Sequence, residues 1–263
     1  MVHSLNDIVI IDVSPDNVEQ TGIYCIKDKK APGYQATLDW FVCKPNAGAA
    51  IRIAVDGGGK QLGFVEYLPS EIAWRPVKAE HFLFIQCIGL FVTGARDQGI
   101  GSLLLNAVEQ DAMVQGKKGL CTMSSNGPWL ANKSLFLKNG FMVADTLERF
   151  ELLVKPLSDT TAQPSFIDWT ARRASYPGWH LLYADQCPWH QKSVTDITHA
   201  ALEHGIPLTV RKLLTAREAQ NAPSGFGTFS LLKDGVLLAD HYISRTRFLN
   251  IVRSMQNVKK GKV

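Results

Sequence analysis

Ile88-Gly89-Leu90-Phe91-Val92-Thr93-Gly94-Ala95-Arg96-Asp97-Gln98-Gly99-Ile100-Gly101-Ser102-Leu103-Leu104 contains the junction that decides how this chain folds. It closes a nearly unbroken apolar run from Phe82 to Val92, the pattern of a strand buried on both faces. It opens into Ser102 to Gln115, where Leu103, Leu104, Ala107, Val108 and Ala112 recur at helical spacing. Strand, glycine loop and helix in this order leave backbone N–H groups and the positive end of the helix dipole above the strand, where an anion belongs. Glycines at 99 and 101 let a diphosphate reach those amides, which a side chain would hold away. Two other phosphate loops do not fit. A dinucleotide fingerprint would sit at the first strand of a βαβ unit, whereas this loop follows four strand candidates, and no Gly-Lys-Ser/Thr completes a Walker A pattern.

Outward from this junction, Asp7 to Val13 is apolar-rich, and Val18 to Cys25 and Ala36 to Val42 read as flanks of amphipathic helices. Ala50 to Val55 and Leu62 to Tyr67 meet across Asp56-Gly57-Gly58-Gly59 as a β-hairpin. On the other side, Leu120 to Ser124 is a strand, Asn132 to Lys138 a short helix stopped by Asn139-Gly140, and Arg149 to Val154 a closing strand. The polar stretch Leu157 to Gln163, between Pro156 and Pro164, is the best linker in the chain. It divides an α/β domain over 1–157 from a smaller α/β domain over 167–263, with a linker at 158–166. Beyond it, His180 to Ala184, Pro188 to His204, Leu208 to Leu213, Ala216 to Gln220, Thr228 to Leu232, Val236 to Tyr242 and Arg245 to Met255 give a βαβαββα order.

The 263 residues, 46% apolar, suit two modest cores. A net charge of +4 with no basic stripe argues against nucleic acid, and the Lys259-Lys260-Gly261-Lys262 tail reads as a solvated end. The start lacks the pattern of a signal peptide and no window is apolar enough to span a bilayer, so a cytoplasmic protein without membrane contact is expected. Five scattered cysteines without a C-x-x-C pair speak against a disulfide framework and a zinc ribbon, and no metal is expected.

The stretch from Ile88 to Leu104 resembles motif A of the GNAT acetyltransferases, the strand-loop-helix that holds acetyl-CoA, and Leu135-Phe136-Leu137-Lys138-Asn139-Gly140-Phe141 is similar to that superfamily's "FYEKLGF" element. Phe64 to Trp74, Thr122-Met123-Ser124-Ser125, Gln186-Cys187-Pro188 and Ala219 to Pro223 further resemble the YoaP-type acetyltransferases, a GNAT domain followed by a YoaP-like, thioredoxin-like domain, over about Ile8 to Leu249. The resemblance implies a GNAT-type mixed sheet flanked by helices and an N-acetyltransferase moving an acetyl group from acetyl-CoA to the amine of a small molecule by direct attack in a ternary complex. It implies that the backbone of Phe91 and Val92 pairs with the pantetheine arm and that Gln98, Gly99, Ile100, Gly101 and Ser102 cradle the pyrophosphate, with Arg96, Asn132 and Phe136 completing the cofactor set. Its members often dimerise, which makes a homodimer an expected state.

Amide formation needs a deprotonated amine, donors for the thioester oxygen and a proton for the departing thiolate. Many GNAT enzymes use a tyrosine of the second element for that proton; the matching position is Phe136, which leaves water, the substrate or Ser134. The strand before motif A offers Gln86 and Cys87 where a glutamate base is frequent, so Glu66 is the first candidate, ahead of Glu80 and His81, and its alternative is a salt-bridged strand carboxylate. Ser124 and Ser125 suit either an acceptor contact or a turn. Cys87 and Cys121 read as small core residues. Cys187 stands at a strand-to-helix step, where a thiolate is stabilised, with His190 in the place of a resolving cysteine and able to favour the thiolate by its charge. The place of a thioredoxin-type proline falls on Gly227, four residues after Pro223. A thiol-dependent protein working through Cys187, and a non-catalytic acyl-CoA-binding protein, stand as the alternative readings.

Overall fold

A computed structural model describes residues 7–14, 16–23, 25–26, 28–43, 48–91, 99–159 and 163–260. Two compact units emerge. The first comprises Met1–Asp28, Leu38–Ala73 and Val77–Ile167; the second comprises Lys29–Thr37, Trp74–Pro76 and Asp168–Val263. The second unit therefore takes in two short stretches, 29–37 and 74–76, that the sequence reading assigned to the first domain.

The first unit is built on seven strands: β1 (Val9–Val13), β2 (Ala50–Val55), β3 (Gln61–Pro69), β5 (Phe82–Leu90), β6 (Gly119–Ser125), β7 (Met142–Leu147) and β8 (Phe150–Pro156), in the order β1-β2-β3-β5-β6-β8-β7. Every neighbouring pair is antiparallel except β5 and β6. The expected hairpin is β2–β3, with the Asp56 carboxylate accepting from the amides of Gly58 at 3.0 Å and Lys60 at 2.9 Å, so that the turn is closed by its own first side chain. A parallel pair needs a crossover, and α3 (Ile100–Val114) supplies it. Its buried residues Ile100, Leu104, Leu105, Val108 and Ala112 share one core with Val65, Tyr67, Leu83, Ile85, Leu120 and Leu153. Arg52 of β2 pins the same helix from its polar side, with Nη2 2.7 Å from Asp111 and Nη1 3.0 Å from Asp12, while the Tyr67 hydroxyl donates to Asp111.

Shorter pieces complete the unit: α1 (Val18–Thr21), most of α2 (Tyr34–Val42), α4 (Lys133–Lys138), and the two-residue strands β4 (Val77–Lys78) and β9 (Ser165–Phe166), which pair with each other. The amide of Phe166 also donates to Asp145 at 2.7 Å, so the last residues of the expected linker are tied to β4 and β7; residues 160–162 lie outside the described ones.

The second unit has its own sheet, β11-β10-β12-β13, from β10 (Trp179–Tyr183), β11 (Leu208–Lys212), β12 (Phe229–Lys233) and β13 (Val236–Ala239). With α5 (Pro188–Glu203), α6 (Ala216–Gln220) and α7 (Arg245–Lys260) the elements follow the expected βαβαββα order. β11 runs parallel to β10 at one edge, and β12 antiparallel on the other side. α6 starts with a full capping box: Thr215 accepts from the amide of Glu218 at 3.2 Å, and Glu218 accepts in return from Thr215.

Candidate active site

β5 and β6 part company midway. Their ladder runs from Phe82–Gly119 to Ile85–Thr122, yet β5 continues to Leu90 and β6 to Ser125. At the fork the Thr122 hydroxyl donates to the Ile85 carbonyl at 3.0 Å, which closes the ladder with a side chain. Opposite the same point β5 carries a bulge against β3: Tyr67 pairs with Ile85 and Glu66 with Cys87, leaving buried Gln86 as the extra residue. A bulge bends its strand, and here it turns β5 away from β6. Gln86, Cys87, Thr122, Met123, Trp129 and Phe136 are among the side chains lining the gap, whose free volume is about 20 Å³.

The backbone that faces this gap differs from the expectation. The Phe91 amide donates to Leu62 of β3 at 2.8 Å, so Phe91 is committed to the inner side of the sheet. Along a strand, backbone groups of successive residues alternate in direction, and the N–H and C=O facing β6 are those of Leu90. The Phe91 ring stacks on Phe64, with centroids 5.5 Å apart. Val92, Arg96 and Gln98 lie outside the described residues.

α3 begins at Gly99, whose φ of 74° is left-handed and suits glycine. Among the described residues no side chain caps the helix, and its first turn contains no acidic residue, so these do not compete with an anion for the amides of Ile100, Gly101 and Ser102. The described part of the cradle therefore fits a pyrophosphate. Gly101 has a second reason to lack a side chain: a Cβ there would come 2.8 Å from Cδ1 of Leu135 in α4, so this glycine sets the approach of the two helices as well as that of an anion.

Within α4 the expected residues take mixed roles. Asn132 is the N-cap, accepting from the Ser134 amide at 2.9 Å. Ser134 is exposed and does not line the gap; Phe136 does, buried at 1% exposure with its ring edge-on to Phe141. Glu66 is buried at 2% exposure and, being directly opposite Cys87, shares its face of the sheet. Glu80 and His81 are exposed at the other end of β5, away from the fork. Ser124 and Ser125 serve the loop after β6: the first donates to the Ala131 carbonyl at 2.9 Å, the second accepts from Gly127 at 2.9 Å and from Arg149. Cys121 fits the core reading, its thiol pKa pushed up by burial, whereas Cys87 is half-buried in the gap lining.

Cys187, half-buried, is the N-cap of α5 with Pro188 at the first helical position. His190 cannot act on it by charge. Burial lowers the imidazole pKa to about 4 despite the 2.9 Å hydrogen bond between Nδ1 and the Ala184 carbonyl, so the ring is neutral at pH 7. Stretches from the first half of the chain pack against the neighbouring backbone. Gly33 lies so close to Pro188 that a Cβ would fall 1.9 Å from the Pro188 carbonyl oxygen, and the Thr37 hydroxyl donates to the Asp185 carbonyl at 2.6 Å. Gly227, at φ 71°, abuts the backbone of Trp74 and Arg75. Buried Arg75 donates to the Phe226 carbonyl and, at 2.9 Å, to the Thr228 hydroxyl, with its guanidinium 4.0 Å above the Phe226 ring. Among the described residues no group of three or more His, Cys, Asp or Glu side chains forms a metal site, and no helix is long and apolar enough to cross a membrane.

Comparison with known proteins finds the following likenesses. A family model described as YoaP-like matches residues 207–250. The Bacillus subtilis (strain 168) protein named uncharacterized N-acetyltransferase YoaP is 24% identical over 254 residues, covering 93% of this chain and 98% of that one. Among solved structures, a GNAT family acetyltransferase from Elizabethkingia anophelis with acetyl-CoA bound is 18% identical over 58% of this chain and 99% of its own, with a TM-score of 0.40. The PaiA N-acetyltransferase from Thermoplasma acidophilum in complex with coenzyme A is 16% identical over 57% and 98%, with a TM-score of 0.41. The chain thus has a mixed, GNAT-like N-terminal sheet, followed by a small α/β sheet in its YoaP-like C-terminal region.

Proposed function

We propose that this protein is an N-acetyltransferase that moves an acetyl group from acetyl-CoA to the amine of a small molecule by direct attack in a ternary complex. The observation that carries this reading is the fork between β5 and β6, with the glycine-led start of α3 following β5 in the chain. The amides of Ile100, Gly101 and Ser102 suit the pyrophosphate, and the N–H and C=O of Leu90 suit an extended amide-bearing arm laid along β5. Trp129 and Phe136 narrow the gap to about 20 Å³, room for about one water at the roughly 10–15 Å³ each requires, so admitting that arm shifts the side chains of the 127–131 loop.

In the reaction the amine nitrogen bonds to the thioester carbon, the C–S bond breaks, and the amine proton is lost to a base. Glu66 is the carboxylate on the face of the sheet that carries Cys87, one strand in from the gap, and serves as that base through water or the substrate. The leaving thiolate needs no side-chain acid of its own: Phe136 has no proton to give, Ser134 is outside the gap, and a thiolate near its ordinary pKa leaves at neutral pH with solvent as the proton source. The same two facts favour a second reading, a protein that binds acyl-CoA without turning it over. Thiol catalysis at Cys187 is disfavoured by the neutral His190 and by the chain packed over Pro188 and Gly227.

Calorimetric titration with acetyl-CoA tests the proposal, with wild type beside a Gly99→Asp/Gly101→Asp double variant and a Ser102→Glu variant. The second variant places a carboxylate in the first turn of α3 and leaves Gly101, the position that meets Leu135, unchanged, and an acidic residue there favours the helix itself. Binding to wild type that is lost in folded Ser102→Glu, with thiol release on adding an amine from a panel, supports acetyl transfer. Binding without release on any amine supports the non-catalytic reading, and no binding to folded wild type refutes both.

A further inference from the structure

The second unit holds a cavity of about 290 Å³ that the acetyl-transfer reading does not use. It lies beside the β10–β11 edge of the small sheet. Leu182 and Arg211, partners in the parallel register, stand side by side on one face, and Leu182 with Leu213 forms an apolar floor, both almost wholly buried. Tyr176 is one wall and α6 the other, contributing Arg217 and Asn221.

Charge around this hollow is lopsided. Its single lining carboxylate, Glu218, is already engaged three times: it accepts from Arg211 Nη2 at 2.6 Å, from the Leu214 amide at 2.7 Å and from the Thr215 amide at 3.2 Å. Arg217 is exposed and, among the described residues, has no carboxylate within ion-pair distance. Arg172 adds a further guanidinium beside the cavity through its hydrogen bond to Asn221. Two lining guanidiniums against one committed carboxylate leave a positive site, and a guanidinium presents its N–H groups in the forked geometry that suits carboxylate and phosphoryl oxygens. Leucines and a phenol ring below that positive rim suit a carbon skeleton rather than a bare ion. The volume corresponds to about ten waters at roughly 30 Å³ each, hence to a ligand of about ten non-hydrogen atoms.

We propose that this cavity is a binding site for a small organic anion, its carboxylate or phosphoryl group held by Arg217 and Arg211 and its apolar body resting on Tyr176, Leu182 and Leu213. Every residue that forms the site belongs to the second unit.

The test is protein-observed NMR on the full chain with methyl-labelled leucine, titrated separately with benzoate, phenyl phosphate and the neutral analogue benzamide, in wild type and in Arg217→Gln. Arg217 is a surface residue, so its variant keeps the fold. The expected result is saturable shifts of the Leu182 and Leu213 methyls with one or both anions, at least tenfold weaker binding of benzamide, and at least fivefold weakening of the anion in Arg217→Gln. A tighter phenyl phosphate assigns the head group as phosphoryl and a tighter benzoate as carboxylate. Absence of saturable shifts at those methyls with both anions, equal binding of benzamide, or an unchanged midpoint in Arg217→Gln overturns the proposal.

Discussion

Replacing Gly227 with alanine measures how firmly the second unit is closed by residues 74–76. Two separate costs arise at this position. Its φ of 71° is left-handed, where a Cβ costs about 1 kcal/mol. The added Cβ would also lie 2.6 Å from the Trp74 carbonyl oxygen and 3.2 Å from both the Ala219 oxygen and the Arg75 Cα, all backbone atoms that cannot swing aside as a side-chain tip would. Overpacking of this kind costs about 1–3 kcal/mol, so Gly227→Ala should destabilise by about 2–4 kcal/mol in total. Gly178→Ala separates the two costs: its φ of 79° carries the same conformational penalty, and a Cβ there meets nothing within 4 Å. Urea unfolding followed by tryptophan fluorescence and by far-UV circular dichroism gives both values, and Gly227→Ala should exceed Gly178→Ala by at least about 1 kcal/mol. Equal losses in the two variants would refute the packing of the Trp74–Pro76 stretch into the second unit.

Two further outcomes follow from the same unit. With the folded His190 pKa at about 4 and the ordinary value at 6.5, the unfolded chain binds the extra proton between these limits, so stability is complete above pH 6.5 and falls as pH drops toward 4. The loss is at most about 3 kcal/mol, and His190→Met should flatten the slope of unfolding free energy against pH in that window. Cys187→Ala should leave acetyl transfer within about twofold of wild type in the thiol-release assay, because Cys187 stands at the N-cap position of α5 without a side-chain capping bond and the His190 imidazole of that helix is uncharged; a loss of tenfold or more, about 1.4 kcal/mol, would revive the thiol reading.

The parts of this fold legible in the sequence are those where a local rule acts alone. The β2–β3 turn, the start of α3 after a glycine loop, the Asn139-Gly140 stop and the limits of α6 are each decided within a few residues. β7 was missed because Met142–Leu147 is an edge strand with an almost wholly exposed pattern, and it offers no apolar alternation to detect. Which backbone groups face the fork turns on parity: a single-residue bulge at Gln86 and the direction of the Phe91 amide decide it, and nothing local encodes either. The stretch Trp74-Arg75-Pro76 finds its partners some 150 positions later, at Phe226 and Thr228, and the arginines and tyrosine of the second-unit cavity are likewise brought together only by the fold. For Gly101 the sequence offers only the approach of an anion as a reason to lack a side chain; the demand that Leu135 places on it is a contact between helices.

The three-piece make-up of the second unit has a consequence for synthesis. Residues 29–37 and 74–76 leave the ribosome before their partners exist, and about ninety residues must be added after Pro76 before the third piece begins to appear. At about 5–20 residues per second this is a wait of about 5–20 s, during which Trp74 and Arg75 have no sheet to close over. A nascent chain arrested before residue 168 should therefore present this tryptophan and arginine to chaperones, and a gene cut at the apparent linker would yield a C-terminal fragment with an open flank rather than a free-standing module.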